Sequence, residues 1–192
     1  MNQTLTRKQF DILAILAEEK SAFSQRQLGE KSGHSLGTVN RIMQELTELQ
    51  YVADGEITNA GISALEPYRA KRAIFIAAGF GSRLVPITFN TPKPLVRVHG
   101  QRIIDGLIDA CLEAGINEIY IVRGYLAEQF DQLLYKYPMV KFLENPVYNE
   151  ANNISSAMVA RYMLSNAYVF EADLLISNPK IITKYHYTSD FL

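Results

Sequence analysis

The apolar positions change their rhythm near residue 70. Before it they recur at helical spacing. Thr6 stands as an N-cap with Gln9 three residues on, and Phe10, Ile12, Leu13, Ile15 and Leu16 follow. A second, short helix is predicted after Ser24 with Leu28 inward, interrupted by Gly33. A third starts after Ser35 and carries Val39, Ile42, Met43, Leu46 and Leu49. Tyr51-Val52-Ala53 and Glu56-Ile57-Thr58 flank Asp54-Gly55, a hairpin signal. Beyond residue 70, short apolar or aromatic runs alternate with amphipathic stretches. They predict strands over 73–78, 118–122, 140–143 and 167–170 and helices over 103–114, 126–137 and 154–164. Gly115 and Pro138 stop the first two of those helices. Strands that run apolar throughout and alternate with helices imply a parallel sheet covered on both faces. Ligands then bind at the carboxyl ends of the strands.

The order helix, helix, tight turn, helix, hairpin in residues 1–70 resembles the winged helix-turn-helix domain of MarR-like regulators. Gly29 lets two helices approach and Gly33 supplies the turn. The resemblance implies a DNA-facing surface, on which Gln25, Arg26, Ser35, Thr38, Asn40 and Arg41 would meet phosphates and base edges. Charge argues the other way. Residues 1–70 hold seven basic and nine acidic side chains, net −2, and the third helix sets Glu45 and Glu48 beside Arg41. A DNA-binding domain usually shows a basic footprint. DNA binding and a docking or homodimerisation role both stay open.

Composition narrows the classes. Of 192 residues, 48% are apolar and 20% charged, ordinary for a globular chain with a buried core. The net charge of −1 gives no general pull toward nucleic acid or anionic membrane. Cys111 is the only cysteine, so no intramolecular disulfide forms; its place in an apolar helical pattern suggests a buried thiol. Residues 1–10 lack the apolar core of a signal peptide, and the run 73–78 is too short to span a bilayer. A cytoplasmic protein without a membrane partner is expected.

The chemistry concentrates after the first strand of the second half. There the chain reads Ala77-Ala78-Gly79-Phe80-Gly81-Ser82-Arg83-Leu84-Val85-Pro86-Ile87-Thr88, then Phe89-Asn90-Thr91-Pro92-Lys93-Pro94-Leu95. Small residues let backbone N–H groups approach a phosphate chain. Arg83 offers a planar fork of donors, and Lys93, held between two prolines, offers a compact charge. A dinucleotide fingerprint would place a third glycine where Leu84 stands, and a Walker A loop would end in Gly-Lys-Ser/Thr; neither is present. Two cations and a backbone cradle suit a triphosphate whose pyrophosphate leaves.

This string resembles the signature G-x-G-x-R-x-x-P-x-T-x-x-x-P-K-P-L of the sugar-1-phosphate and phosphocholine nucleotidyltransferases. All its fixed positions are present: Gly79, Gly81, Arg83, Pro86, Thr88, Pro92, Lys93, Pro94 and Leu95. Three later stretches resemble the LicC-type CTP:phosphocholine cytidylyltransferases. They are Gly124-Tyr125-Leu126-Ala127-Glu128-Gln129-Phe130, Asn152-Asn153-Ile154-Ser155-Ser156 and Tyr168-Val169-Phe170-Glu171-Ala172-Asp173. The resemblance implies an α/β fold: a Rossmann-like nucleotidyltransferase domain over 71–192, preceded by the mainly helical winged helix-turn-helix domain over 1–70. It further implies CTP as the favoured nucleoside triphosphate, phosphocholine as the favoured acceptor and Mg²⁺ as cofactor. Arg83 and Lys93 would hold the phosphates during catalysis. Ala78, Gly79, Gly81, Ser82, Asn152, Asn153 and Ser156 would form the nucleotide pocket, and Asp173 would bind the metal.

Residue-level alternatives stand beside these roles. Asp173 also fits a turn-capping aspartate, and Asn152 and Asn153 fit an N-cap for the following helix. Tyr125, Tyr148, Tyr168 and Tyr185 are candidates for an aromatic cage around a quaternary ammonium, with core packing the commoner use. The resemblance runs from Arg72 to about Asn178, so the second half is expected to be a truncated domain that lacks its acceptor side. A sugar-1-phosphate nucleotidyltransferase and a nucleotide-sensing regulator with a degenerate transferase domain are the alternative functions.

Overall fold

The computed structural model describes residues 4–18, 23–151 and 153–189. The helices of the first half begin where their caps stand. Thr6 and Gln9 exchange side-chain-to-backbone hydrogen bonds ahead of α1 (Arg7–Glu18). Ser24 and Gln27 form a reciprocal capping box on α2 (Gln25–Ser32). Ser35 accepts from the Thr38 N–H to open α3 (Leu36–Glu48). Such caps satisfy backbone donors that a helix start leaves unpaired and are worth about 1 kcal/mol each. Gly33 takes the left-handed conformation at φ 71° between α2 and α3. A Cβ on Gly29 would stand 3.0 Å from the His34 carbonyl oxygen, a tight contact that favours glycine at this turn.

The hairpin of β1 (Val52–Ala53) and β2 (Glu56–Ile57) turns at Asp54 and Gly55, both at positive φ. A short helix not read from the sequence follows, α4 (Asn59–Leu65), capped by Thr58. The core beneath these elements gathers Phe10, Ile12, Leu13, Leu16, Leu28, Val39, Ile42, Leu46, Val52 and Leu65.

The second half builds a four-stranded parallel sheet in the order β7-β6-β3-β8, from β3 (Arg72–Ile76), β6 (Glu118–Arg123), β7 (Lys141–Glu144) and β8 (Ala167–Glu171). A small antiparallel pair, β4 (Arg97–Val98) and β5 (Gln101–Arg102), leads into α5 (Ile103–Glu113). Both sheet faces are covered, as the continuous apolar strands required. On one face Ala73, Phe75, Ile119 and Ile121 pack with Ile104, Leu107, Ile108 and Cys111 of α5 and with Phe130 and Leu133. On the other, Ile74 and Val122 pack against Ala160 of α6 (Asn153–Ala160). Cys111 is fully buried, and burial pushes its thiol up to about 12.

Two readings are corrected. The segment expected as a helix over 126–137 is a run of 3₁₀ turns, Ala127–Tyr135, entered through Leu126 in the left-handed region. Two carbonyls that an α-helix would use internally are taken by side chains: Ala127 by Arg123 and Gln129 by Gln132. The helix expected over 154–164 gives way after Ala160 to a 3₁₀ turn, Arg161–Met163, with the Met158 carbonyl accepting from Arg161.

The chain divides into two compact units, Met1–Arg69 with Tyr185–Leu192, and Ala70–Lys184. Residues 185–189 therefore belong with the N-terminal unit, whereas the sequence pattern places them with the α/β domain. Tyr185 is buried in the N-terminal core and bridges Arg69. Tyr187 stacks on Tyr68 at 5.5 Å, and its hydroxyl donates to the Leu5 carbonyl.

Candidate active site

The in-register strands of the sheet bring their carboxyl ends into one line. Ile76 of β3 sits between Val122 of β6 and Glu171 of β8. Backbone bonds extend this alignment past the strands: Ala77 N–H to Val122, Ala172 N–H to Ile76 and Tyr125 N–H to Ala78. Three loops rise from that line; Gly79, Gly81, Ser82, Arg83 and Lys93 lie on the one after β3 and Asp173 on the one after β8, while Asn153 and Ser156 lie on α6.

The first loop folds back on itself. Gly81 adopts φ 68°, and a Cβ there would lie 3.2 Å from both Lys93 Cβ and Thr88 Cγ2, so this position needs glycine on two counts. Thr88 is fully buried and donates its hydroxyl to the Gly81 carbonyl at 3.1 Å. Short 3₁₀ turns over Ser82–Leu84, Ile87–Phe89 and Lys93–Leu95 complete the path. At Gly79 a Cβ would meet nothing within 4 Å, so that glycine faces open space.

The fold brings two of the predicted residues together. Lys93, from the first loop, forms an ion pair with Asp173, just beyond β8. Their side chains are 30% and 25% exposed, which leaves the pair reachable from solvent. Arg83 is exposed and has no ion-pair or hydrogen-bond partner among the described residues. An exposed arginine and an ion-paired lysine thus lie on the glycine-rich segment beyond the carboxyl end of β3. Residues 72–191 match the family model of nucleotidyl transferases, and residues 3–56 match that of the MarR family.

The chain belongs to the nucleotidyl transferase family.

Among the members it is similar to are several cytidylyltransferases. It is 47% identical over 111 residues to a 2-aminoethylphosphonate cytidylyltransferase of Lancefieldella rimae, a match over 57% of this chain and 45% of that one. It is 46% identical over 102 residues to a choline-phosphate cytidylyltransferase of Streptococcus pneumoniae, over 53% of this chain and 44% of that one. The solved structure of the CTP:phosphocholine cytidylyltransferase from Streptococcus pneumoniae superimposes with a TM-score of 0.54 at 44% identity, over 56% of this chain and 47% of that one. The chain thus spans less than half the length of these relatives.

The other expected residues lie at the glycine-rich loop, on α6 or outside the described residues. Ala78 is buried below the loop, and Ser82 is exposed on it. Asn153 opens α6 and donates to Glu171 at the end of β8. Ser156 is buried, its hydroxyl accepting from Asn145 Nδ2 at 3.0 Å. Asn152 lies outside the described residues.

Some contributors were not legible. Asn145, 2% exposed just after β7, donates to both Ser155 and Ser156 and accepts from the Val147 N–H, so it clamps α6 to the strand end. Its only sequence signal was a polar residue beside an apolar run. Tyr125 donates its hydroxyl to the Phe89 carbonyl and Gln129 its amide to the Asn90 carbonyl, holding the far side of the glycine loop. Of the four cage candidates, Tyr125 and Tyr148 are neighbours, with ring centroids 6.5 Å apart. Tyr168 stacks on Phe170 with its hydroxyl bonded to Thr183, and Tyr185 is packed in the N-terminal core.

In the N-terminal unit, Gln25, Arg26 and Ser35 line one groove with Glu30 and His34. Asn40 and Arg41 are exposed on α3. Arg26 is paired with Glu30 and Arg41 with Glu45, while Ser35 and Thr38 are engaged in capping.

Proposed function

We propose that the α/β unit binds a nucleoside triphosphate, CTP by preference, and transfers its cytidylyl group to a phosphorylated small molecule, phosphocholine by preference, with release of pyrophosphate. The observation that carries this reading is the meeting of Lys93 and Asp173 beside the Gly79–Gly81 cradle, with Arg83 free at its rim. Backbone groups of Gly79 and Gly81 approach the phosphates. Arg83 and Lys93 neutralise charge that grows on the departing pyrophosphate. The acceptor is already anionic near neutral pH, so positioning and electrostatics suffice for in-line attack on the α-phosphorus, with no dedicated base. The cytidylyltransferase relatives, named for choline phosphate and for 2-aminoethylphosphonate, support the class of acceptor.

Magnesium belongs to the same proposal. Among the described residues no group of three or more His, Cys, Asp or Glu side chains could hold a metal. Mg²⁺ does not require one, since it is commonly held by one or two carboxylates together with substrate phosphates. Asp173 at the loop mouth fits that use, and the ion would supply charge stabilisation across the α-phosphate.

Calorimetric titration with CTP, ATP, GTP and UTP, each with Mg²⁺, tests the reading. Selective CTP binding, weakened about tenfold or more in Arg83→Ala, is expected from loss of a charge-assisted contact. Preference for another triphosphate would transfer the assignment to a sugar-1-phosphate nucleotidyltransferase. Undiminished binding in Arg83→Ala would remove the site.

The MarR-family match favours a second reading for the N-terminal unit, DNA binding through the α2–α3 face. Retardation of upstream DNA that fades with added salt supports it; a homodimer without DNA affinity would assign that face to docking. We place the protein in the cytoplasm; no helix among the described residues is long and apolar enough to cross a membrane.

A further inference from the structure

The Lys93–Asp173 ion pair raises a question that the proposed function leaves open. Each partner is matched to the other, although the nucleotide site needs both for ligands. Lys93 is to hold an anionic phosphate, and it already holds a carboxylate. Asp173 is to hold a cation, and it already holds an ammonium. Glu171, the other carboxylate at this end of β8, is engaged by Asn153. The prolines on either side of Lys93, the 3₁₀ turn it opens and the packing of its Cβ over Gly81 restrict its stem.

We propose, resting on the nucleotidyltransferase reading, that this pair is an internal stand-in for the metal–nucleotide complex and acts as a charge lock on the empty site. Lys93 occupies the place of the cation at Asp173, and Asp173 occupies the place of a phosphate oxygen at Lys93. Metal-free triphosphate must displace Asp173 from Lys93. A cation alone must displace Lys93 from Asp173. The metal–triphosphate pair exchanges both partners at once and leaves no charge unmatched. Cation and triphosphate therefore bind with positive coupling, which by linkage is the same seen from either ligand.

The experiment is a calorimetric double-mutant cycle on the full chain. CTP is titrated in the presence of a chelator and in the presence of Mg²⁺, into wild type, Asp173→Asn, Lys93→Ala and the double variant. Asp173→Asn is isosteric and should bind metal-free CTP about threefold to tenfold more tightly than wild type, as expected for releasing a partly exposed lysine. In the same variant the Mg²⁺-dependent gain should collapse. The gain for metal-free CTP should vanish when Lys93 is already Ala. If Asp173→Asn tightened metal-free CTP equally in both backgrounds, it would report general charge repulsion, and the lock would be refuted. A fall or no change in metal-free affinity in Asp173→Asn would refute it as well. A nucleotide-free arm separates this from the underlying reading: Mn²⁺ alone should bind Lys93→Ala about threefold or more tighter than wild type, seen by electron paramagnetic resonance. If no nucleotide bound wild type, the nucleotidyltransferase reading would fail, and the Mn²⁺ arm would still decide whether Lys93 masks Asp173.

Discussion

The arginine pairs of the N-terminal unit and the long-range pairs of the α/β unit differ in what brings the partners together. In the N-terminal unit Arg7–Asp11, Arg26–Glu30 and Arg41–Glu45 each join residues four apart on one helix. Such pairs form in an isolated helix, and they leave α2 and α3 with little uncompensated positive charge. In the α/β unit Lys93–Asp173 and Arg123–Glu144 join stretches that only the assembled sheet brings together. A local pair tunes a surface. A long-range pair depends on tertiary structure, so a ligand that competes for it competes for something the fold has set in place.

The comparison can be broken hardest at a pair that is local yet buried. Arg102 and Asp105 are three apart at the start of α5, 8% and 5% exposed, with two contacts at 3.0 and 3.1 Å. Asp105→Ala leaves the guanidinium buried without its partner and should cost about 3–5 kcal/mol, read from hydrogen exchange of α5 amides. A loss below 1 kcal/mol would show that burial does not separate this pair from the exposed ones. Asn145→Ala tests a neutral long-range clamp. Removing three hydrogen bonds from a buried site should cost about 1–3 kcal/mol and loosen α6 before β3, visible in the same exchange profile. Uniform loosening of the whole sheet would contradict a clamp role. The smallest effect belongs to Arg41→Ala, about 0.3–0.5 kcal/mol in thermal unfolding, because the exposed helical pair contributes little. A larger loss there would mean that local pairing underpins α3 more than its packed Val39, Ile42 and Leu46.

What the sequence disclosed follows the same division between local and distant causes. The cap at Thr6, the helix starts after Ser24 and Ser35 and the Asp54-Gly55 turn are written in neighbouring residues, and each appears where expected. The strands were legible because a sheet buried on both faces demands continuous apolar runs. The 126–137 segment reads as a helix because its periodicity is helical, while Arg123 from β6 and Gln132 from within the segment claim its carbonyls. Asn145 has only the faint signature of a polar residue beside an apolar run, and the return of Tyr185 to the N-terminal core has none. In the candidate site, the loop residues and Asp173 could be named one by one, but their pairing required knowing that β3 and β8 are adjacent.

The packing of Tyr185 and Tyr187 has a consequence for the order of events during synthesis. Phe10 and Tyr68 leave the ribosome long before the rings that close over them. The N-terminal unit therefore emerges with part of its apolar surface uncovered and waits for the whole α/β segment to be translated before its own core is complete. Chains normally fold domain by domain from the N-terminus. In this one, Tyr185 and Tyr187 complete a core begun by Phe10 and Tyr68, so that core closes only after residues 70–184 have been made.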